Sequence, residues 1–306
     1  SRHMELGTNT VVVITGAGSG IGLAMAHAFG AAGCKLVLAD VNDDDLSDGD
    51  GEVRAAHGVE TMTSITDVSQ ADQVEALAAA TVERFGGVHV ICNNAGVAGK
   101  GDPWLGPIET WEWTLGVNLW GVIYGVRAFL PRILESGGGH VVNTASIAGL
   151  YPGFGPAYDA SKHAVVALTE GLHHAMDMSP IPVGVSCLCP GWVKTGIIDA
   201  DRNWPDHLGD RPELDAGQEV MFNYVRTAID EGMQPGAVAD MVVAAVRENR
   251  YWVFPHPDFV EIAMERFHTI GEGTNPVQPN ETPGMPPREQ LVAETMAAVM
   301  AALEAQ

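Results

Sequence analysis

Thr15-Gly16-Ala17-Gly18-Ser19-Gly20-Ile21-Gly22 follows directly on the apolar run Val11-Val12-Val13-Ile14 and opens an alanine-rich, amphipathic stretch that extends to about Ala32. A strand-like run, a glycine-rich turn and a helix in this order indicate the phosphate-binding turn of a βαβ unit. Glycines permit a sharp turn and let the backbone approach a pyrophosphate at the positive end of the helix. A tight turn that binds no ligand is the alternative interpretation.

Strand-like and helix-like segments alternate through the first 190 residues. Short, nearly continuous apolar strands separated by helices are typical of a parallel sheet that is covered on both faces. Right-handed crossovers then predict an α/β, Rossmann-like doubly wound fold. After the first strand, the predicted strands are 35–39, 59–65, 88–92, 140–144 and 183–188, and the predicted helices are 70–85, 109–135 and 158–178.

An acidic segment follows the second predicted strand, between residues 40 and 50. A calcium-binding loop needs spaced ligands that end in a late glutamate, and the segment lacks this spacing. We therefore predict a solvated loop. Its carboxylates are those of Asp43, Asp44, Asp45, Asp48 and Asp50.

The alternation of strands and helices breaks down after Gly191. Residues 196–235 mix turn-forming and charged residues with apolar ones such as Trp204 and Phe222, which is typical of a lid over a substrate. Docking of these side chains on the rest of the chain or on a neighbouring subunit is the alternative. Farther along, we predict helices at 237–248, 258–270 and 289–305, a strand at 251–254 and a glycine- and proline-rich linker at 271–288.

Nothing in the sequence marks a second independent core. We therefore predict one catalytic domain at 4–250, with a C-terminal extension at 251–306 packed on the same domain. The leading Ser1-Arg2-His3 is interpreted as a cloning remnant and lies outside the predicted domain.

The composition is that of a globular protein with a strongly acidic surface. Sixteen Lys and Arg residues against 39 Asp and Glu residues give a net charge of −23, which repels nucleic-acid phosphates and anionic lipids. No uncharged apolar span reaches 18 residues, and no cationic leader with a cleavage site is present. We expect a cytoplasmic protein that binds neither nucleic acid nor membrane.

The cysteines lie in or beside apolar runs, at Cys34, Cys92, Cys187 and Cys189. We expect them to be small buried hydrophobic residues in a reducing compartment rather than disulfide partners. Cys187 and Cys189 would share one face of a strand, and no second pair accompanies them at the spacing of a zinc site. The histidines show no His-Glu-x-x-His pattern, so we predict no metal site.

Asp40 stands 18 residues after Gly22, at the end of the second predicted strand. A carboxylate at this place can accept hydrogen bonds from the hydroxyls of an adenosine ribose and would repel a 2′-phosphate. Neither Arg nor Lys occurs in the glycine turn or directly after Asp40. The sequence therefore favours NAD(H) over NADP(H) as the cofactor.

Tyr158 and Lys162 are four residues apart on a predicted helix and so share one face. A free phenol has a pKa of about 10, and a neighbouring ammonium lowers this pKa toward the value that a general base needs at neutral pH. Ser146 lies 12 residues before Tyr158, at the end of the fifth predicted strand, where its hydroxyl could hold a substrate oxygen. The three side chains are therefore candidates for moving a proton to or from an oxygen atom.

From about residue 8 to residue 195, the sequence resembles the classical short-chain dehydrogenase/reductase (SDR) family. The resemblance implies the doubly wound fold and hydride transfer between a nicotinamide and a secondary alcohol or ketone. The interval between Ser146 and Tyr158 is one residue shorter than is typical of the family. Besides the motifs above, the matching segments are Asp67-Val68, Asn93-Asn94-Ala95-Gly96, Val117-Asn118-Leu119 and Pro190-Gly191-x-Val193-x-Thr195.

The resemblance implies a role for each matching residue. Tyr158 is the expected acid/base, Lys162 binds the nicotinamide ribose and lowers the pKa of Tyr158, and Ser146 positions the substrate oxygen. Asn118 is expected to hold a water of a proton relay, which completes a predicted catalytic set of Asn118, Ser146, Tyr158 and Lys162. The predicted cofactor-binding residues are Gly16, Ser19, Gly20, Ile21, Gly22, Asp40, Asp67, Val68, Asn94, Ala95, Gly96, Tyr158, Lys162, Pro190, Gly191, Val193 and Thr195. Among these, the resemblance places Asp67 and Val68 at the adenine, Asn94 at the adenosine ribose, and residues 190–195 at the nicotinamide.

We expect an NAD-dependent short-chain alcohol dehydrogenase or ketone reductase that acts on a small molecule. The apolar residues of 196–235 favour a bulky, apolar substrate of aromatic, alicyclic or steroid-like type. The resemblance implies a homodimer or a homotetramer. Two alternatives stay open, a 3-oxoacyl-type reductase and a non-catalytic NAD-binding regulator with the same fold. The complete catalytic set argues against the regulator, because a protein that only binds NAD has no need of an activated phenol.

Overall fold

The computed structural model describes residues 3–305, so Ser1, Arg2 and Gln306, which fall in the predicted remnant and extension, lie outside the described residues. Seven parallel strands form a sheet in the order β3-β2-β1-β4-β5-β6-β7. This order confirms the predicted Rossmann-like, doubly wound α/β fold. The strands are β1 (Val11–Thr15), β2 (Lys35–Asp40), β3 (Thr61–Ile65), β4 (Val90–Asn93), β5 (Gly139–Thr144), β6 (Val183–Leu188) and β7 (Trp252–Val253).

Helices cover both faces of the sheet, because alternate residues of a strand point to opposite sides. Val12 and Ile14 of β1 pack in one cluster with α1 (Gly20–Ala31) and α8 (Pro235–Glu248). Val11 and Val13 pack in another cluster with α3 (Ala71–Phe85) and α5 (Gly121–Glu135). The helices are α1 (Gly20–Ala31), α2 (Asp43–His57), α3 (Ala71–Phe85), α4 (Glu109–Leu115), α5 (Gly121–Glu135), α6 (Pro156–Asp177), α7 (Ala216–Asp230), α8 (Pro235–Glu248), α9 (Pro257–Glu272) and α10 (Arg288–Glu304). Within residues 3–305, no helix is long and apolar enough to cross a lipid bilayer.

The acidic segment after β2 is helical, so the prediction of a solvated loop was wrong. Asn42 caps α2, because its side-chain oxygen accepts the backbone N–H of Asp45 at 3.0 Å. The aspartates of the first turn lie at the positive end of the helix, where carboxylates are stabilising. Leu46 and Val53 of the same helix are buried in the core. The acidic composition of this segment is typical of a loop, but here these residues start a helix.

Residues 216–230 form α7, although the sequence pattern of 196–235 predicts no regular element there. The helix begins with a capping box, in which the Asp215 carboxylate accepts the Gln218 N–H at 2.8 Å and the Gln218 side chain accepts the Asp215 N–H at 3.1 Å. Such a reciprocal pair satisfies two N–H groups that a helix start otherwise leaves without partners. The capping pair is thus the local signal that indicates this helix.

The predicted helix 109–135 contains a π-helical turn, Gly116–Trp120, between α4 and α5. At its end the N–H of Gly121 donates to the carbonyl oxygen of Gly116, one residue beyond the α-helical partner. Single π-helical turns inside α-helices often occur at functional sites. This turn carries Asn118, which it directs toward the carboxyl end of the sheet.

His140 in β5 is a buried histidine. Its Nε2 donates to the Ser186 hydroxyl at 2.7 Å, because that hydroxyl itself donates to the carbonyl oxygen of Arg250 at 2.6 Å. Burial lowers the pKa of His140 from 6.5 to about 3. Between these two pH values the unfolded chain binds more protons at this residue than the folded chain does. The free energy of unfolding should therefore fall as the pH drops below about 6.5.

We expect His140→Gln to weaken this pH dependence, because a glutamine amide can still donate to Ser186 but does not titrate. From His140 alone, the wild-type protein should lose up to ~1.4 kcal/mol of unfolding free energy per pH unit below about pH 6.5. Urea unfolding at a series of pH values measures this loss in both proteins. Equal slopes of unfolding free energy against pH would contradict the prediction.

Candidate active site

The motif residues gather at the edge of the sheet formed by the carboxyl ends of the strands. The glycine turn follows β1, Asp40 ends β2, Asn94 follows β4, Ser146 follows β5 and Pro190 lies just beyond β6. β1 and β4 are neighbours in the sheet, and the crossovers run in opposite directions on either side of them. Doubly wound sheets bind nucleotides at such a switch point.

Side chains on the glycines of this turn would clash with the neighbouring backbone. Gly16 and Gly20 have positive φ angles of 63° and 56°. A Cβ atom on Gly16 would lie 2.9 Å from the Cα atom of Ala95, and a Cβ atom on Gly22 would overlap the carbonyl oxygen of Gly16. The glycines therefore let the turn pack tightly against α1 and against the segment after β4.

The positive end of α1 points out of this turn. The helix begins at Gly20 with Ser19 as its N-cap, and its first turn contains no acidic residue. Among the described residues, the Ser19 hydroxyl makes no capping hydrogen bond to the helix. Backbone N–H groups at a helix start attract anions, so the turn from Gly16 to Gly22 fits the pyrophosphate of a dinucleotide.

Asp40 is oriented by two backbone N–H groups. Its Oδ2 accepts the N–H of Gly18 at 2.9 Å and its Oδ1 accepts the N–H of Asn42 at 3.0 Å. A carboxylate oxygen can accept two hydrogen bonds, so Asp40 can also accept from ribose hydroxyls. Arg202, a cation that the sequence does not place here, comes to the same region and pairs with Asp45 at 3.6 Å.

The segment after β3 lies beside Asp40, because the N–H of Thr66 donates to the Asp40 carbonyl oxygen at 2.9 Å. Asp67 and Val68 follow immediately. Val68 is buried, and a Cβ atom on Gly121 would lie 2.7 Å from its side chain. The start of α5 therefore supports the segment that the family resemblance assigns to the adenine.

Asn94 ties together three strands of the sheet. Its Nδ2 donates to the Thr15 carbonyl oxygen at 3.2 Å, and its Oδ1 accepts the Thr144 hydroxyl at 3.0 Å. The Thr15 hydroxyl accepts the backbone N–H groups of Asn94 and Ala95 at 3.0 and 3.1 Å. The side chain that the resemblance assigns to the ribose thus also shapes the protein around the glycine turn.

Tyr158 and Lys162 lie together over the end of β5. The Nζ atom of Lys162 donates to the Thr144 carbonyl oxygen at 3.1 Å and lies 5.6 Å from the centre of the Tyr158 ring. The Ser146 hydroxyl acts on the Tyr158 phenol, whose pKa it lowers. The structure thus brings the predicted hydroxyl, phenol and ammonium into one group.

The pKa of Tyr158 is governed by burial. Desolvation raises this pKa to about 12, the Ser146 hydroxyl opposes the rise, and the Asp159 carboxylate adds to it. Burial also lowers the pKa of Lys162, to about 8. The expected net lowering of the Tyr158 pKa is therefore wrong for the protein's own groups, because the loss of hydration outweighs an ammonium at this distance.

Asn118 is fully buried in the π-helical turn. Its Oδ1 accepts the N–H of Val97 at 2.8 Å, and its Nδ2 donates to the Val97 carbonyl oxygen at 2.9 Å and to the Ser161 hydroxyl at 3.1 Å. The Ser161 hydroxyl donates in turn to the Tyr158 carbonyl oxygen at 2.7 Å. Both amide hydrogens of Asn118 are thus engaged within the protein, and its role in a water relay stays a prediction. A Cβ atom on Gly96 would lie 3.5 Å from Asn118 Oδ1 and 3.6 Å from Lys162 Nζ, which joins this residue to the same group.

The loop between β5 and α6 is held by Asp159, a residue that the sequence patterns do not single out. Its carboxylate accepts the N–H of Gly153 at 2.9 Å and the N–H of Phe154 at 3.2 Å. Gly153 adopts a φ of 148°, which a side chain would strain. Burial raises the pKa of Asp159 to about 6. These contacts close the loop compactly, so Ser146 reaches Tyr158 despite the shorter interval.

The segment 196–235 follows directly on Thr195. Its first part is a 3₁₀ turn, Ile197–Asn203, followed by Trp204, whose ring lies 5.1 Å from the ring of Trp113. Val97, next to the predicted cofactor residue Gly96, belongs to the same cluster. This part of the segment therefore packs directly beside the candidate active site.

Both the 3₁₀ turn and α7 are also tied to their own chain. Asp201 pairs with Lys100 at 2.8 Å and Asp199 pairs with Arg226 at 2.7 Å. The hydroxyl of Tyr224 donates to Glu294 in α10 at 2.6 Å. The alternative that these side chains dock on the extension therefore describes Tyr224 of α7, and the lid stays a prediction for the 3₁₀ turn.

The Pro190–Thr195 motif is anchored on both sides. The Pro190 carbonyl oxygen accepts the N–H of Ile147 at 3.0 Å, and the N–H of Gly191 donates to His256 at 2.8 Å. Val193 is buried, and a Cβ atom on Gly20 would lie 3.2 Å from the Thr195 methyl group. The motif thus runs from the loop that carries Ser146 to the glycine turn. The sequence did not indicate its contact with His256.

The cysteines of the described chain are buried, and the sulfur atoms of Cys187 and Cys189 lie 3.8 Å apart. Among residues 3–305, no group of three or more His, Cys, Asp or Glu side chains is arranged to hold a metal ion. The candidate site is therefore built from hydroxyl, phenol, ammonium, amide and carboxylate groups.

Comparison with known proteins relates most of the chain to one family. Residues 10–206 match the family described as short chain dehydrogenase. The chain is 41% identical over 271 residues to the 1-deoxy-11-beta-hydroxypentalenate dehydrogenase of Streptomyces avermitilis, which covers 87% of this chain and 92% of that protein.

Two solved structures share the fold. A short chain dehydrogenase/reductase from Burkholderia phymatum, in complex with NAD, is 41% identical, with a TM-score of 0.87 over 91% of this chain and 100% of that chain. An alcohol dehydrogenase from the archaeon Thermococcus sibiricus, complexed with 5-hydroxy-NADP, is 27% identical, with a TM-score of 0.64 over 80% of this chain and 95% of that chain. These two relatives thus bind dinucleotides of different kinds.

Proposed function

Because the chain belongs to the short-chain dehydrogenase family, we propose that it is an NAD(H)-dependent oxidoreductase that interconverts a secondary alcohol and a ketone. The observation that carries the proposal is the group of Ser146, Tyr158 and Lys162, in which the Ser146 hydroxyl lowers the pKa of the phenol and the Lys162 ammonium lies 5.6 Å from the phenol ring. These groups lie at the same sheet edge as the glycine turn. A binding protein without catalytic activity has no use for such a polar group.

The protein's own residues supply binding, orientation and a path for the proton. A nicotinamide held at this sheet edge would supply the hydride chemistry and, in its oxidised form, a positive charge. Ser146 orients the substrate oxygen, and the Tyr158 oxygen takes its proton in oxidation or donates a proton to it in reduction. Lys162, fixed on the Thr144 carbonyl oxygen, favours the phenolate electrostatically.

Asp40 is proposed to select NAD(H) over NADP(H). Its carboxylate is fixed by the Gly18 and Asn42 N–H groups at the end of β2 and would repel a 2′-phosphate. The relative from Burkholderia phymatum, solved with NAD, supports this assignment. Arg202, a cation that the fold brings to this region, is engaged with Asp45.

We expect Asp40→Ser to lower kcat/KM for NAD(H) by about 10- to 100-fold and to raise it for NADP(H). The variant loses hydrogen bonds to a charged acceptor, worth about 1.5–3 kcal/mol, and no longer repels the 2′-phosphate. Steady-state kinetics with both cofactors measures the change. Asp44→Ser, which removes the same charge from an exposed position of α2, is the matched control. A wild-type enzyme that prefers NADP(H) would show the assignment to be wrong.

We propose a bulky, largely apolar substrate. Val97, Trp113 and Trp204 form an apolar cluster beside Gly96, and Phe154 and Trp192 lie on the two loops that hold Ser146 and the Pro190–Thr195 motif. The relative from Streptomyces avermitilis is named as the dehydrogenase of 1-deoxy-11-beta-hydroxypentalenate, which supports an alicyclic alcohol. Apolar pockets separate substrates by about 1–3 kcal/mol per methylene-sized difference.

The absorbance change of NADH with a panel of substrates tests the proposal. Specificity constants are compared for a short aliphatic alcohol, a polycyclic or aryl alcohol, and a 3-hydroxyacyl thioester. We expect the bulky alcohol to be preferred. Preference for the thioester would favour the 3-oxoacyl-type reductase, and binding of NADH without any turnover would favour the non-catalytic regulator.

For the state of the protein in the cell, we propose a homodimer or homotetramer in the cytoplasm without nucleic-acid or membrane partners. The net charge of −23 supports the absence of anionic partners. Light scattering of the purified protein measures the oligomeric state.

A further inference from the structure

The C-terminal extension touches both loops that carry the candidate catalytic motifs. His256, the residue before α9, accepts the N–H of Gly191 on its Nδ1 atom at 2.8 Å. Arg266 of α9 donates to the Leu150 carbonyl oxygen at 2.7 Å, in the loop after β5. These contacts join residues that are far apart in the chain, and the proposed function alone does not require them.

The fit at Gly191 is close. A Cβ atom there would lie 2.7 Å from the Phe259 ring and 3.1 Å from Cγ of His256. The Phe259 ring lies 6.0 Å from the Trp192 ring, and the indole N–H of Trp192 donates to the Pro283 carbonyl oxygen at 2.6 Å. A glycine at position 191 therefore lets the extension press against the backbone of the motif assigned to the nicotinamide.

The contact continues from Gly191 to the catalytic group. The neighbouring Pro190 carbonyl oxygen accepts the N–H of Ile147 at 3.0 Å and lies 3.5 Å from the Ser146 hydroxyl oxygen. Ser146 in turn acts on the Tyr158 phenol, whose pKa it lowers. The peptide between Pro190 and Gly191 thus has His256 on one side and the loop that carries Ser146 on the other.

We propose that His256 is a positioning residue for the catalytic group, which fixes the Pro190–Gly191 peptide by accepting its N–H and thereby sets Ser146 against Tyr158. This inference rests on the proposed function and assigns part of the active-site framework to the extension at 251–306, outside the catalytic domain predicted at 4–250. An unprotonated Nδ1 atom is required, because a protonated nitrogen cannot accept a hydrogen bond. Burial lowers the pKa of His256, which favours this neutral form, whereas a backbone hydrogen bond at Trp192 and the Asp258 carboxylate oppose the effect.

Two variants of similar size separate the acceptor from the packing of the ring. In His256→Asn the Oδ1 atom is attached to Cγ, as Nδ1 is in histidine, so it can accept the Gly191 N–H. His256→Leu offers no acceptor. We expect the leucine variant to lose 10- to 100-fold in kcat, since a displacement of about 1 Å in a reacting group can cost ~10²-fold. The asparagine variant should remain within about threefold of the wild type.

The matched control is His268→Leu, on the exposed side of α9, where the histidine contacts Glu272. This variant should keep the wild-type kcat. Hydrogen–deuterium exchange of the peptide containing Gly191 supplies a readout that does not depend on turnover, and exchange should be faster in His256→Leu than in His256→Asn. Thermal melting of each variant confirms that the compared samples are folded.

Equal losses of kcat in the asparagine and leucine variants would overturn the proposal, because packing rather than the acceptor would then be responsible. Wild-type turnover in His256→Leu would overturn it as well. If the wild-type protein shows no NAD-linked turnover, the proposed function fails and the catalytic role of His256 fails with it. The exchange rate at Gly191 would in that case still show whether the hydrogen bond forms.

Discussion

Replacing Tyr158 by Phe should lower turnover by about 10²–10⁴-fold, because it removes the group that exchanges a proton with the substrate oxygen. The ring and its packing on α6 stay in place, so the affinity for NADH should change little. Stopped-flow or steady-state NADH absorbance measures the rate, and NADH fluorescence measures binding. The pKa of about 12 that burial gives to Tyr158 means that the phenol is protonated before the cofactor's charge is added.

Tyr151→Phe is the matched control for this experiment. Tyr151 lies in the loop between β5 and α6, and its buried hydroxyl has no hydrogen-bond partner among the described residues. Removal of an unsatisfied buried hydroxyl should leave stability unchanged or slightly higher. Near wild-type turnover of Tyr158→Phe at saturating substrate would refute the assignment of the acid/base.

Gly22→Ala should weaken NAD binding by about 10²-fold. The added methyl group would overlap the Gly16 carbonyl oxygen and come within 2.8 Å of the Asn94 amide nitrogen. Both obstacles are held by the sheet and by hydrogen bonds, so the glycine turn itself must open. Overpacking of this kind costs about 1–3 kcal/mol, and a cost of about 3 kcal/mol corresponds to roughly 10²-fold in affinity.

Gly51→Ala provides the comparison, because a Cβ atom on this glycine in α2 would meet nothing within 4 Å. A glycine-to-alanine change in a helix stabilises by up to ~1 kcal/mol. NADH fluorescence titration gives the dissociation constants, and thermal melting gives the stability of each variant. Unchanged NADH affinity in Gly22→Ala would mean that the dinucleotide does not bind at this turn.

Local patterns predict the parts of the molecule that depend on neighbouring residues. The glycine turn, the carboxylate at the end of β2 and the shared face of Tyr158 and Lys162 follow from short spacings, and the structure places them at one sheet edge. The acidic start of α2 was mistaken for a loop, because composition does not show that Asn42 caps a helix there. The capping residue and the two buried apolar residues that follow it are the better signal.

Contacts between distant segments could not be predicted from the sequence. His256 reaches Gly191 across 65 positions, and Arg202 reaches Asp45 from beyond β6. The pKa of Tyr158 depends on the whole surroundings of the ring, so the spacing of four from Lys162 misjudges its direction. Asp159 is an intermediate case, because it lies beside Tyr158 but acts on a loop whose fold the sequence does not reveal.

The contact between His256 and Gly191 has a consequence for the order in which the protein becomes functional during its synthesis. Every motif from the glycine turn to Thr195 leaves the ribosome before residues 256–283, which hold Gly191 and Trp192. At ~5–20 residues per second, the intervening stretch of about 60 residues takes several seconds to translate. A nascent chain can therefore form the glycine turn early. The group of Ser146, Tyr158 and Lys162 is completed only when the C-terminal extension docks.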